Sequence, residues 1–229
     1  MLLLSTGMLA CVPKSPSIPG PLGSLGRPAP THRLGGDKLD GGDDGELPTP
    51  GRARRSGSLG QRIADAARHY LESAPRGFRD DCSGFVEASL AHAGLPLSGN
   101  TSAFWELSRE AGYTHHRKIP RPGDLAFFDN TWDRNGNDRL DDELSHIAIV
   151  LEVDGEGTIT LAHAGTSSGR SILTMNLSHP SVREIDGGQV VNSYLRRKTP
   201  EDSARTRYLS GELWRGFATL RSDAVAQAD

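Results

Sequence analysis

The sequence predicts an α+β domain with N-terminal helices packed on an antiparallel β-sheet. Three observations predict it. Apolar residues recur at helical spacing from Leu59 to Ala111. Short apolar runs replace them from Asp124 onward. Turn signals such as Pro122-Gly123 and Asp154-Gly155 separate those runs. The chain has 229 residues and a formal net charge of −3, which speaks against a general nucleic-acid binder. Hydrophobic residues make up 35%, a fraction low enough to expect an unstructured portion.

That portion is expected at the N-terminus. Residues 1–11 form an apolar stretch ending in Leu9-Ala10-Cys11, similar to a bacterial lipobox, in which the cysteine is acylated after cleavage. No Lys or Arg precedes it, and an ordinary secretory leader and a disordered start that happens to contain a cysteine are the alternatives. The expectation is a cell-envelope lipoprotein lipidated at Cys11, touching the membrane through that anchor alone, or else a secreted protein. No apolar run approaches the roughly 20 residues that span a bilayer. Residues 12–58 are rich in Pro, Gly, Ser and charge and read as a flexible tether. The domain is expected over 59–221 as a monomer, with a disordered tail at 222–229.

Within the domain, Ser58 is a plausible N-cap for a first helix carrying Leu59, Ile63, Ala66, Ala67, Tyr70 and Leu71 on one face. Asp80 or Asp81 opens a second helix with Phe85, Val86, Ala88, Leu90 and Ala93, stopped at Gly94. A third is expected from Ser102 to Ala111. Strands are expected at 124–128, 146–153, 158–164, 189–196 and 213–220.

The chemistry centres on Cys82, within Asp80-Asp81-Cys82-Ser83-Gly84-Phe85-Val86. A cysteine in the first turn of a helix faces free N–H groups and the positive end of the macrodipole. These stabilise an anion, and the same N–H groups can hold a developing oxyanion. A buried structural cysteine is the plain alternative. What favours catalysis is a base. His146 heads the apolar strand after Ser145, and most of the other histidines lack such a setting. His163 sits on the expected partner strand, where it is either an orienting group or a satisfied strand-end histidine.

Three blocks together resemble the NlpC-type cell-wall cysteine peptidases, which have a papain-like fold and are related to CHAP-type amidases and endopeptidases. They are Asp81 to Val86, Arg121 to Phe128, and Ser145 to Val150 followed by Ala162 to Gly165. The resemblance implies Cys82 as nucleophile, His146 as general base and His163 as the orienting residue. It implies peptidoglycan stem peptides as substrate and no required cofactor. Asp81, Ser83 and Phe78 are the expected substrate-side neighbours. The stretch Ala74 to Arg79 departs from the family pattern, lacking its Tyr and Trp-Gly-Gly, which leaves the bond specificity open. A non-catalytic wall-binding module and a Cys/His acyl hydrolase or transferase on another substrate are the alternatives.

One further motif carries oxygen ligands. Asp133, Asn135 and Asn137 alternate as in a calcium loop, and Asp141 could complete the shell. Gly136 stands at the fourth place rather than the sixth, so an acidic solvent loop is the competing expectation.

Overall fold

The computed structural model describes residues 57–137, 139–166, 169–200 and 202–224. The expected leader 1–11, Cys11, and the tether as far as residue 56 lie outside the described residues, as does the end of the tail.

Three helices come first: α1 (Leu59–Glu72), α2 (Cys82–His92) and α3 (Thr101–Glu110). Each begins on a side-chain cap. Ser58 accepts from the Gln61 N–H, Asp81 from Gly84 and Asn100 from Ala103. These caps satisfy N–H groups that a helix cannot pair internally. Among the described residues no helix is long and apolar enough to cross a membrane.

The strands follow: β1 (Thr114–His115), β2 (Leu125–Phe128), β3 (His146–Val153), β4 (Thr158–Thr166), β5 (Gly169–Asn176), β6 (Glu184–Ile185) and β7 (Gln189–Val190). A short helix α4 (Ser210–Leu213) leads into β8 (Trp214–Ala218). Six strands form one antiparallel sheet in the order β1-β8-β2-β3-β4-β5, and β6 pairs with β7 in a separate ribbon.

The central strands are buried on both faces. Leu125, Phe127, Ile147 and Ile149 pack on Ile63, Phe85 and Leu90 of the helices. Ala126, Phe128, Ala148 and Val150 pack on the other side with Leu173, Met175, Leu195 and Leu213. Two buried faces explain why β2 and β3 read as continuous apolar runs. Phe127 and Phe128 are fully enclosed, a burial worth about 2–3 kcal/mol each.

Asp124 fixes the turn that enters β2. Its buried carboxylate accepts from the Arg121 N–H at 2.8 Å and meets His115 Nε2 at 3.2 Å. The Arg121 to Phe128 block is therefore structural.

Two expectations are corrected. The strand expected at 189–196 is only the two residues of β7. Beyond it the Asn192 side chain takes over, accepting from Asn176 N and donating to the carbonyls of His179 and Val182. A buried amide used this way replaces a ladder with a knot of loop contacts. The chain also stays on the domain past Arg221: Ala224 is buried, and Tyr113 donates to the Asp223 carboxylate at 2.8 Å. Strand β5 was not expected, although Leu173 and Met175 alternate inward along it.

Candidate active site

Cys82 is the first residue of α2, and Asp81 is its N-cap, holding the Gly84 N–H at 2.7 Å. That bond leaves the N–H groups of Cys82 and Ser83 without an intrahelical acceptor. Gly84 is required by space: a Cβ there would lie 2.0 Å from the Arg79 carbonyl oxygen. Gly165, at φ 86°, brings the end of β4 against the same helix tip; a Cβ on it would stand 2.9 Å from Cys82 N. The thiol is half-buried, with Sγ 4.0 Å from Thr101 Oγ1. Ser83 is buried, its hydroxyl 3.3 Å from the same Thr101 oxygen.

His146 begins β3 after a tightly held turn. Leu144 sits at φ 51°, a region non-glycine residues seldom adopt, with its N–H bonded to Asp129 Oδ1 at 2.8 Å. Ser145 Oγ accepts from Thr131 N at 2.9 Å, and the Trp132 indole donates to the Ser145 carbonyl at 3.0 Å. The register between β3 and β4 pairs Ile149 with Ala162. By the two-residue alternation of strands, His146 and His163 then project from one face. Their rings meet edge to face, with His146 Nε2 2.9 Å from His163 Nδ1. The far nitrogen of His163, Nε2, lies 3.0 Å from the hydroxyl of Ser171, its register partner on β5.

Burial holds both imidazoles well below the ordinary histidine range, and the nearby His163 ring lowers His146 further. Both are therefore neutral at neutral pH. Since Nε2 of His146 is occupied by His163, Nδ1 is the nitrogen left for chemistry. If Nε2 carries the proton, it donates to His163 Nδ1, and His163 Nε2–H donates to Ser171. That chain of donors leaves a free lone pair on His146 Nδ1.

Cys82, His146 and His163 line one cavity of about 980 Å³. Asp81 and Ser83 line it too, whereas Phe78 does not; it stands exposed beside it in sequence only. The cavity wall also includes Thr101 and Ser171, which the sequence did not single out. Only the β4–β5 pairing would have exposed Ser171, and only α3's start at Thr101 rather than Ser102 the other hydroxyl.

The 133–143 loop is held by its own side chains. Asn135 and Asn137 direct amide nitrogens at the Asp141 carboxylate, and Asp133 accepts from the N–H groups of Gly136 and Asn137. Among the described residues no group of three His, Cys, Asp or Glu could hold a metal ion.

The helix-first order, the antiparallel sheet, and a cysteine at a helix tip sharing a cavity with strand histidines define a papain-like α+β domain. Residues 73–165 match the family model of the CHAP domain, a papain-like cysteine/amidase domain related to the NlpC/P60 family. The match supports a hydrolase of the amidase or peptidase type with peptidoglycan as substrate. No curated protein and no solved structure matches the chain.

Proposed function

We propose that this protein is a cysteine peptidase of the cell envelope that cuts amide bonds in the peptides of peptidoglycan. Cys82 is the nucleophile, His146 the general base and His163 the residue that orients it. The observation that carries the reading is the shared cavity of the Cys82 thiol and the His146–His163 pair at 2.9 Å.

Burial makes His146 a neutral base at rest, rather than an imidazolium already paired with thiolate. It takes the thiol proton on Nδ1 as Sγ attacks the carbonyl carbon. The N–H groups at the tip of α2, that of Cys82 included, hold the oxyanion. The C–N bond breaks, His146 returns the proton to the leaving amine, and a thioester remains. Water, deprotonated by His146, then releases the acid and restores the thiol.

The test is digestion of purified sacculi. The wild-type protein is expected to release soluble muropeptides, detected by mass spectrometry, and the Cys82→Ala variant none. Equal release by both would end the assignment. The envelope location and acylation at Cys11 rest on the leader-like residues 1–11. Incorporation of labelled palmitate that disappears in Cys11→Ala tests them.

A further inference from the structure

The sulfur of Cys82 has a polar contact that comes from neither histidine strand. Its Sγ lies 4.0 Å from Thr101 Oγ1, at the first residue of α3. The same oxygen is 3.3 Å from Ser83 Oγ. Both hydroxyls are buried, and among the described residues neither has a further partner. A buried hydroxyl has one proton to give and needs an acceptor for it. Ser83 can give its proton only to Thr101, and Thr101 then has its own left for the sulfur. Once the thiol has lost its proton, sulfur can only accept. The order Ser83 to Thr101 to Sγ is then the one in which every donor is used.

The start of α3 is fastened to α2, so Thr101 is held against the thiol. Glu87, on α2, accepts from the Gly99 N–H at 2.7 Å. Arg79 donates to the Gly99 carbonyl at 2.7 Å and lies 3.2 Å from Glu87 Oε1. Asn100 caps α3 by accepting from the Ala103 N–H at 2.9 Å. The cap is therefore Asn100, which leaves the Thr101 hydroxyl free of that duty. At 4.0 Å the contact is long, as suits a neutral thiol, and a bond to a charged acceptor is shorter and stronger.

We propose that Thr101 is a catalytic residue whose hydroxyl donates a hydrogen bond to the Cys82 sulfur as charge develops there. The thiol proton still goes to His146; Thr101 keeps its own and supplies only the bond. The proposal rests on the hydrolase reading for its effect on turnover, though not for its effect on the sulfur.

The experiment uses the full chain and reads the sulfur directly. Alkylation of Cys82 by iodoacetamide is followed by mass spectrometry of the peptide that contains it. The thiolate is the species alkylated, so the rate at pH 7.5 reports how well the protein stabilises it. Thr101→Val keeps the shape and removes the donor; its rate is expected to be about fivefold lower, with Thr101→Ser close to wild type. The ionisable groups of the same cavity, Asp81, His146 and His163 among them, are untouched by either change. At about pH 10.5, above the ordinary thiol range, wild type and Thr101→Val should converge. An equal loss there would mean altered access and overturn the proposal. An unchanged rate in Thr101→Val at pH 7.5, or a Thr101→Ser variant just as slow, overturns it too. Thr101→Val strands the Ser83 hydroxyl, so Thr101→Val with Ser83→Ala, which removes both ends of that bond, is run alongside. The same fivefold loss is expected of it, and a wild-type rate refutes the donor. Wild-type digestion of sacculi separates the two ideas. Slower alkylation without muropeptide release leaves the thiol donor and removes the hydrolase; release with unchanged alkylation does the reverse.

Discussion

Replacing Ser171 by alanine tests the donor chain where it is least expected to matter. The hydroxyl is 3.0 Å from His163 Nε2 and has no direct contact with the thiol. When the hydroxyl accepts from Nε2–H, His163 carries its proton there and offers Nδ1 to His146. Without it, the neutral ring can hold its proton on either nitrogen. The Nδ1–H form would face the Nε2–H of His146 across 2.9 Å, two donors head to head. His146 must then shift its proton to Nδ1 and lose the lone pair that accepts the thiol proton. One such bond is worth about 1 kcal/mol net, so the productive form should fall in population by roughly fivefold. The expected result is a kcat about fivefold lower, an unchanged KM, and recovery in Ser171→Thr, measured on a defined peptide substrate. Nitrogen-15 NMR of His163 should show the Nδ1–H tautomer rising in the variant. An unchanged kcat, or a loss carried wholly by KM, would refute the reasoning.

Three other outcomes are expected. The two buried histidines make stability depend on pH: their folded pKa values lie below the unfolded value of about 6.5. Below that value the unfolded chain binds more protons, so stability is full above it and is lost as pH falls towards the folded values. At pH 5 the loss should reach roughly 2 kcal/mol for each histidine. Urea unfolding at pH 5 and 7.5 measures it, and His146→Gln with His163→Gln should flatten the slope. Asp81→Ala removes the cap of α2 and should cost about 1 kcal/mol, while Asp81→Asn should keep most of it; thermal unfolding distinguishes them. Because the Asp141 carboxylate is already held by two amides, added calcium is expected to leave the melting temperature unchanged, and a clear rise would identify the loop as a site.

Much of this site is legible in the sequence because its parts lie on regular elements. Helix α2 is announced by its cap and apolar set, and β3 by an unbroken run behind His146. The order Cys82, His146, His163 survives as a shared cavity because two strands and one helix tip carry all three. What stayed hidden depends on pairing across the chain. Ser171 matters only through its register with His163, and Asn192 shapes 177–195 through bonds to residues far from it in sequence. Phe78 is expected to fill some of the space of the Tyr that the family pattern carries, but it is exposed and does not line the cavity.

The sheet that is greasy on both sides has a practical consequence for anyone trimming this protein. A fragment cut to the boundaries of the family match would lose β5 and, with it and the segments after it, Leu173, Met175, Leu177, Leu195, Leu213 and Phe217, which pack on Phe128, Val150 and Leu161. Such a piece would keep its thiol and both rings yet display a broad sticky plane, and it would be expected to clump during expression rather than turn over substrate.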